Sequence, residues 1–314
     1  MEVVQMILAA KSFFERRRKG YFMAGFIADG WNEYEIIDCG DGMKLERWGD
    51  VVLARPDPQV IWKKVSPKRW HNADAVYHRS NKGGGAWEYK NKIPSKWTVN
   101  YKNLKFYIEP MGFKHTGLFP EQAANWDFII EKIKERVNEG GTVKMLNLFG
   151  YTGAATVAAA SAGAAVTHVD AAKGMVTRAR ENVELSGLQN ASVRYLVDDA
   201  FKFVSREIRR GNTYDAIVMD PPSYGRGPGG EVWKLEESIY DFLEESSKLL
   251  SDKPLFFILN SYTTGLSPVV TENMLSIILK KRFGGNVSAG DLCIPITSGG
   301  ILLPCGSAAR WCAK

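Results

Sequence analysis

The segment 142–170 restricts the fold of this chain more than any other stretch. It begins with a short apolar run at 143–148, turns around two glycines at 147–153, and continues through an alanine-rich stretch at 154–163. A second apolar run then ends at Asp170. Two strand-length apolar runs that flank a helix of small residues predict a βαβ unit.

The turn and the acid of this unit are suited to a nucleoside cofactor. Gly150 and Gly153 allow backbone N–H groups to approach a ligand where a Cβ atom would collide. The Asp170 carboxylate can accept protons from two ribose hydroxyls. The turn lacks the Gly-x-Gly-x-x-Gly pattern, which disfavours a dinucleotide, whereas S-adenosylmethionine carries no phosphate and suits such a turn. The alternative is a βαβ unit that binds no ligand.

Two later strands also end in acids. The run 193–197 leads to Asp198 and Asp199, and a carboxylate at this third strand end lies where the amino group of an adenine would be. The run 214–219 is a fourth strand. It leads into the pentapeptide Asp220-Pro221-Pro222-Ser223-Tyr224.

The Asp-Pro-Pro turn is the most informative tripeptide in the sequence. Two prolines enforce an extended, rigid turn and leave their carbonyl groups without neighbouring N–H partners. The Asp220 carboxylate and the Pro221 carbonyl can then accept a substrate N–H and orient the nitrogen lone pair of a nucleobase. Tyr224 can stack on a base that is drawn out of its helix. A proline-stiffened loop without a chemical role is the alternative.

The residues before the βαβ unit are strand-like and strongly basic. Short apolar runs separated by Asp-Gly and Gly-Asp turns predict a small β-rich domain. Between Lys63 and Lys105 there are eleven Lys or Arg residues but two acids. Cations for phosphates that alternate with flat rings for bases predict an RNA-binding surface; a solvated basic face with the rings in a small core is the alternative. The interleaved rings are Trp70, Tyr77, Trp87, Tyr89, Trp97 and Tyr101.

A chain of 314 residues is long enough for two domains. We predict a leader or frayed helix at 1–20, a β-rich basic domain at 21–105 and a catalytic domain at 106–314. The four cysteines show no Cys-x-x-Cys spacing, so we expect no metal site, no disulfide framework and a cytoplasmic location. The apolar run 3–10 is too short to span a bilayer, and we expect no membrane partner. The oligomeric state is left undetermined.

Further motifs are Thr116-Gly117-x-Phe119-x-x-Gln122, Asn182 and Asp199-Ala200-Phe201. Together with the turn Asn147-Leu148-Phe149-x-Tyr151-Thr152-Gly153, the pair Val169-Asp170 and the Asp-Pro-Pro pentapeptide, they resemble the motifs of class I S-adenosylmethionine-dependent methyltransferases. More narrowly, they resemble the bacterial family that contains the large-subunit ribosomal RNA cytosine-C5 and guanine methyltransferases. The resemblance implies an α/β fold with a Rossmann-like, mostly parallel sheet and an antiparallel final strand, preceded by the small β-rich domain.

The resemblance also implies a role for each motif. The loop 116–122 and the turn 147–153 hold the methionine part of S-adenosylmethionine, Asp170 binds the ribose, and Asp199, or Asp198 beside it, binds the adenine. The implied cofactor contacts are Thr116, Gly117, Phe119, Gln122, Asn147, Phe149, Gly150, Tyr151, Thr152, Gly153, Asp170, Ala171, Asp198, Asp199 and Ala200. The implied catalytic residues are Asp220, Pro221, Pro222, Ser223 and Tyr224.

One departure from that family bears on the chemistry. Methylation of C5 of a pyrimidine needs a thiolate that adds to C6, and relatives that do so carry Cys at the end of the fifth strand. This chain has Asn260, Ser261 and Tyr262 there, and Cys305 is the alternative thiol. We therefore predict an enzyme that methylates a nitrogen of a base in RNA, and we expect that RNA to be ribosomal.

Other functions remain compatible with the sequence. Within the methyltransferases, they are a cytosine-C5 enzyme that uses Cys305 and an enzyme that acts on DNA or a small molecule. Outside that class, they are an NAD-dependent oxidoreductase and an RNA-binding protein without activity.

Overall fold

The computed structural model describes residues 25–80, 84–112, 114–226 and 232–314. The chain divides into two compact units. Unit 1 comprises the described residues up to Lys102 together with Tyr107–Glu121 and Leu292–Cys305, and unit 2 comprises the remainder. The leader or frayed helix predicted at 1–20 lies outside the described residues, and the predicted domain boundaries stay predictions.

Unit 1 contains a sheet built from short strands. β2, β3 and β4 pair antiparallel, β4 pairs parallel with β5, and β5 pairs antiparallel with β6. The turn between β2 and β3 needs Asp41 and Gly42 in the left-handed region, with φ of 53° and 76°. The strands are β1 (Gly25–Ile27), β2 (Tyr34–Gly40), β3 (Met43–Trp48), β4 (Val51–Pro56), β5 (Ala75–Arg79), β6 (Gly85–Tyr89) and β7 (Trp97–Tyr101).

An ion pair lies inside unit 1. Glu46 is fully buried on β3, and its carboxylate accepts hydrogen bonds from Arg55 Nε at 2.6 Å, Arg55 Nη2 at 2.9 Å and Tyr34 OH at 2.7 Å. Burial opposes ionisation of Glu46, but the charges of Arg55 and Lys44 and these hydrogen bonds outweigh it and lower the pKa of its carboxyl to about 2. The acid is therefore ionised in the folded unit.

Unit 1 is expected to lose stability as the pH falls from about 4.5 towards 2. The pKa of Glu46 is lower in the folded chain than in the unfolded one, so its contribution is complete above the unfolded pKa and disappears through the folded pKa. The loss is on the order of 3 kcal/mol. Urea unfolding followed by tryptophan fluorescence between pH 5 and pH 2 measures it.

Glu46→Gln tests the assignment of this pH dependence. The variant leaves Arg55 buried beside a neutral amide, which is expected to cost about 3–5 kcal/mol at pH 7. It should also flatten the dependence of stability on acid pH. Asp50→Asn, which neutralises an exposed acid of the same unit, should change neither the stability at pH 7 nor this pH dependence. An acid dependence in Glu46→Gln equal to that of the unsubstituted protein would contradict the assignment.

Unit 2 contains the parallel sheet that the βαβ unit predicts. β11, β10, β9, β12 and β15 lie side by side in that order and run parallel, and β17 pairs antiparallel with β15. The predicted fold class is therefore confirmed. The strands that follow β7 are β8 (Leu104–Ile108), β9 (Lys144–Leu148), β10 (Ala165–Asp170), β11 (Val193–Val197), β12 (Ala216–Met219), β13 (Tyr224–Arg226), β14 (Val232–Lys234), β15 (Phe256–Ser261), β16 (Asn286–Ile296) and β17 (Ile301–Cys312).

Helices connect the parallel strands of unit 2. A π-helical stretch at Ser276–Lys280 separates the last two α-helices. The helices are α1 (Ala123–Asn138), α2 (Ala154–Ser161), α3 (Lys173–Leu185), α4 (Ala200–Arg210), α5 (Leu235–Ser247), α6 (Pro268–Leu275) and α7 (Lys281–Phe283). One 3-10 helix spans Pro67–Asn72, and another, Pro120–Gln122, precedes α1.

Candidate active site

The predicted acids of unit 2 follow the carboxyl ends of neighbouring parallel strands. In the sheet register Leu148 lies opposite Val169 on one side and Met219 on the other, and Asp170 lies opposite Val197. The loops after these strands therefore leave from the same edge of the sheet. In open parallel sheets, ligands bind in the crevice at this edge.

The turn after β9 is tied to the end of β10. Asp170 Oδ2 accepts the Tyr151 N–H at 2.8 Å, and Oδ1 accepts the Ala172 N–H at 2.8 Å. Phe149 and Tyr151 are non-glycine residues with positive φ, at 55° and 49°. Asn182 Nδ2 donates to the Thr152 carbonyl at 2.8 Å, which holds the end of the turn. The acid predicted to bind ribose thus also fixes the turn predicted to hold methionine.

The two glycines of the turn are required by the protein's own packing. A Cβ at Gly150 would lie 2.4 Å from His168 Cε1, and a Cβ at Gly153 would lie 2.6 Å from Ala179 Cβ. Gly153 also has a φ of 81°, which side chains rarely adopt. The prediction explained these glycines by close approach to a ligand, but the structure shows that the positions of both Cβ atoms are filled by protein.

A buried polar network supports the turn from below. Asn147 Nδ2 donates to Thr156 Oγ1 at 3.0 Å, and Thr156 Oγ1 is 3.0 Å from His168 Nδ1. Burial lowers the pKa of His168 to about 4, so its ring is neutral at pH 7. Asn147 was predicted as a cofactor contact, and its side-chain amide donates a hydrogen bond to Thr156 within the protein. The network joins residues nine and twelve positions apart, and no sequence pattern indicated it.

The two acids after β11 have different partners. Asp198 accepts the Asp199 N–H on Oδ1 at 2.9 Å, and its Oδ2 contacts Arg206 Nη2. Asp199 is the N-cap of α4 and accepts the Lys202 N–H on Oδ1 at 2.9 Å. Asp198 is therefore engaged through both oxygens, whereas Asp199 Oδ2 takes no part in the cap. Ala200 is buried at the start of α4, and Ala171 is exposed after Asp170.

The Asp-Pro-Pro loop is fastened by a residue that sequence reasoning missed. Trp233 Nε1 donates to the Pro222 carbonyl at 2.5 Å, so this carbonyl, which we predicted to have no neighbouring N–H partner, accepts an indole N–H from farther along the chain. The Ser223 carbonyl accepts the Leu235 N–H at 3.0 Å. Trp233 folds back from eleven residues downstream, and the sequence does not indicate that contact.

The remaining members of the loop divide into buried and exposed residues. Asp220 is half-buried and Pro221 is buried, while the Tyr224 side chain is 52% exposed. Ser223 Oγ accepts a hydrogen bond from Thr263 Oγ1 at 2.7 Å. The loop therefore presents a carboxylate and an exposed aromatic ring from one rigid segment.

An aromatic cluster lies beside the turn. The Phe149 ring packs edge-on against Phe201 and Phe242, with centroid distances of 6.3 Å and 6.0 Å. Phe201 also contacts Trp233 at 4.8 Å. Phe149 was predicted as a cofactor contact, and its side chain belongs to this cluster.

Gln122 is the member of the predicted loop 116–122 that lies in unit 2. Its Nε2 donates to Tyr262 OH at 2.9 Å, and its Oε1 accepts from Asn125 Nδ2 at 2.8 Å. Asn125 also donates to Asn260 Oδ1 at 2.8 Å and accepts from Arg310 Nε at 2.8 Å. These side chains fix the end of β15 to the start of α1.

The other three predicted loop residues lie in unit 1. Thr116 is 1% exposed, and within the described ranges its hydroxyl has no hydrogen-bond partner. Gly117 has a φ of 86°, and the Phe119 ring lies edge-on to His115 at 5.5 Å. Burial, together with the positive charge of Arg55, lowers the pKa of His115 to about 4, so it is neutral at pH 7. We therefore assign it no role as a proton carrier.

Neither candidate for a covalent nucleophile is activated. Burial, and then the charge of Glu121, raises the pKa of the Cys305 thiol well above its ordinary value. Thiolates are the reactive form, so this thiol is inert at neutral pH. Ser261 is buried, and its Oγ accepts the Thr263 N–H at 3.2 Å.

In the basic segment 63–105 the cations are mostly exposed, whereas most of the rings are buried or half-buried. Every described Lys and Arg between Lys63 and Lys105 is exposed, apart from the half-buried Lys64. Trp70, Trp87 and Trp97 are half-buried, and each indole N–H donates to a protein oxygen. Tyr77 and Tyr101 are buried, whereas Tyr89 is 55% exposed. The segment thus offers phosphate-binding charges without the row of stacking rings that we predicted, since alternate residues of a strand face opposite sides.

Comparison with known proteins agrees with this geometry. A family model described as S-adenosylmethionine-dependent methyltransferase matches residues 71–236, which is more than half of the chain. The chain belongs to the S-adenosylmethionine-dependent methyltransferase family. Its cofactor is S-adenosylmethionine, as the sequence predicts.

Relatives of the methyltransferase include several ribosomal RNA enzymes. It is 29% identical over 245 residues to ribosomal RNA large subunit methyltransferase K of Neisseria meningitidis, covering 74% of this chain and 67% of that protein. It is 30% identical to ribosomal RNA large subunit methyltransferase I of Klebsiella pneumoniae over 42% of this chain, but spans 31% of that protein. The crystal structure of a methyltransferase from Agrobacterium tumefaciens superimposes with a TM-score of 0.87 at 36% identity, covering 94% of this chain and 95% of that one.

The residues that the structure describes contain neither a membrane-spanning helix nor a cluster of metal ligands. No described helix is long and apolar enough to cross a membrane. Within the same ranges, no group of three or more His, Cys, Asp or Glu side chains could hold a metal ion.

Proposed function

We propose that this methyltransferase transfers a methyl group to a nitrogen of a base in ribosomal RNA. The observation that carries the proposal is the Asp220–Tyr224 loop, which presents a half-buried carboxylate and an exposed ring at the sheet edge that also bears Asp170. The names of the Neisseria and Klebsiella relatives support ribosomal RNA as the substrate class. A cytoplasmic location follows from that substrate.

The residues around the turn fit S-adenosylmethionine. Each Asp170 oxygen accepts one backbone N–H, and a carboxylate oxygen can accept a second hydrogen bond, so the ribose hydroxyls can be bound while the turn stays fixed. We infer that Asp199, rather than Asp198, contacts the adenine, because Arg206 occupies Asp198. When bound, S-adenosylmethionine supplies a methyl group on a sulfonium that is already a good leaving group.

The protein's own contribution is positioning. The Asp220 carboxylate and the Pro221 carbonyl accept N–H protons of the base and orient its nitrogen lone pair. Trp233 and Thr263 hold the loop, and Tyr224 stacks on the base. Placing the reacting groups in this way supplies most of the acceleration without a strong general base.

The exposed cations of the segment 63–105 are assigned to the RNA backbone. Nine exposed Lys and Arg side chains line this part of the sequence, at 63, 68, 69, 79, 90, 92, 96, 102 and 105. Contacts of this kind make affinity steeply dependent on salt and carry no sequence information. The base itself is then selected by the loop in unit 2.

The substrate and the modified atom can be tested together. Nucleosides of ribosomal RNA from a strain that lacks the gene are compared by mass spectrometry with those of the parent strain. We expect one N-methylated nucleoside to be absent from the deletion strain and restored by the purified enzyme. An unchanged nucleoside profile would reject ribosomal RNA as the substrate, and loss of a C-methylated pyrimidine would reject the nitrogen assignment.

Cytosine-C5 methylation is the alternative, and it predicts a covalent adduct. Addition of a thiolate to C6 leaves the enzyme trapped on RNA that contains 5-fluorocytosine. We expect no trapping and no loss of activity in Cys305→Ala, since the pKa of that thiol is raised by burial. An adduct on denaturing gels that disappears in Cys305→Ala would establish the C5 mechanism. An adduct that persists in Cys305→Ala would show that another nucleophile forms it, and Ser261 would be the first to test.

A further inference from the structure

A cleft of about 480 Å³ lies between helices α4 and α5 of unit 2. Its apolar lining comes from Phe201 and Val204 of α4, Val232 and Trp233 of β14, and Phe242 of α5. Val232 is 52% exposed, so part of this apolar lining is open to solvent. Val204 and Phe242 are buried, whereas Phe201 and Trp233 are half-buried, so the accessible apolar surface of the cleft comes from Val232, Trp233 and Phe201.

The sides of the cleft are acidic. Glu237, Asp241 and Glu245 follow one another at helical spacing along α5 and line it. Asp199 lies at one end, and Lys202 is the one cation among the described lining residues. An RNA phosphate would meet four carboxylates here, whereas a cation would be attracted by them and by the faces of the rings.

The acids of α5 are available to an incoming cation. Glu237 pairs with Lys234 at 2.7 Å and Glu245 pairs with Lys248, and the side chains of both glutamates are exposed. Exposed pairs of this kind contribute little energy and are exchanged easily. Asp241 lies between these two glutamates on the same face of the helix.

We propose that this cleft binds an arginine- or lysine-rich segment of a partner protein in which apolar side chains alternate with the basic ones. The apolar residues of the segment lie on Val232 and Trp233, and its cations pair with Asp241 and Glu245. Charge complementarity selects this partner. The cleft shares only Asp199 with the predicted contacts of the methyl donor. The proposal does not depend on RNA being the substrate of the enzyme.

The probe for this cleft is the peptide acetyl-Arg-Arg-Leu-Arg-Arg-Leu-amide, titrated into the full chain by calorimetry. We expect it to bind, and the matched peptide with glutamate in place of arginine not to bind. Asp241→Asn combined with Glu245→Gln should weaken binding about fivefold to tenfold. Val232→Lys, at an exposed position, should weaken it at least about fivefold by placing a like charge on the apolar surface of the cleft.

The control pair is Glu236→Gln with Glu244→Gln, which removes the same charge from exposed positions on α5 outside the cleft. It should weaken peptide binding less than about twofold. Equal weakening by both pairs, or no binding of the basic peptide, would overturn the proposal. Displacement of the peptide by S-adenosylhomocysteine would assign the cleft to the cofactor site, and displacement by a single-stranded RNA decamer would assign it to RNA; either result also overturns the proposal.

Discussion

Asp220→Ala is expected to reduce methyl transfer at least about 100-fold while the affinity for S-adenosylhomocysteine stays nearly unchanged. The substitution removes the carboxylate that orients the nitrogen of the base, and a loss of positioning of this kind costs on that order. It leaves the Asp170 carboxylate and the turn after β9 in place, since the Asp220 backbone N–H, which donates to the Leu148 carbonyl at 3.4 Å, is retained in the variant.

Two measurements separate the role of Asp220 in transfer from a role in folding. Transfer of a radiolabelled methyl group to ribosomal RNA from a deletion strain gives the rate, and calorimetry with S-adenosylhomocysteine gives the affinity. Asp252→Ala is the control, because Asp252 is an exposed acid of the same unit that precedes β15 and does not follow the carboxyl end of a parallel strand. Full activity in Asp220→Ala would reject the assigned role, and an equal loss of rate and cofactor affinity would show that Asp220 supports the cofactor turn instead.

Gly150→Ala is expected to lower both stability and cofactor affinity, the latter by at least about tenfold. The added Cβ would lie 2.4 Å from Cε1 and 2.5 Å from Nδ1 of His168, whose ring is fully buried and bonded to Thr156. Either the His168 ring or the turn must move. A shift of the turn would disturb the hydrogen bond between the Tyr151 N–H and Asp170, which we predict to bind the ribose. Thermal unfolding and calorimetry with S-adenosylhomocysteine measure the two effects.

A double-mutant cycle tests the cause of that loss. In a His168→Ala background, Gly150→Ala should cost about 1–3 kcal/mol less, because the side chain that it meets is gone. Gly153→Ala is the contrasting case, since its Cβ would lie 3.0 Å from the Ala179 Cα, which no side-chain replacement removes, and its φ of 81° remains. Ala179→Gly should therefore rescue Gly153→Ala only in part. Additive costs of Gly150→Ala and His168→Ala would contradict the packing explanation.

The sequence by itself determined the features that depend on neighbours in the chain. Apolar runs, turn glycines and a helix of small residues placed β9, α2 and β10 in order, and the acids at 170, 198, 199 and 220 follow strands as predicted. The fold class and the cofactor could be predicted because parallel strands present their carboxyl ends at one edge. The role of each acid in binding stays a prediction.

The tertiary structure decided which partners these residues meet. Trp233 donates a hydrogen bond to the Pro222 carbonyl, and His168 fills the space beside Gly150. Neither contact could be predicted from the type of residue at these positions. The tryptophans of the basic segment turn their indole N–H groups to protein acceptors that are 24 to 49 positions away in the chain, because these groups meet only when the elements pack. Glu46 and Arg55 are buried as a pair for the same reason. Contacts of this kind depend on strand register and on packing across the sheet, and a linear order of residue types specifies neither.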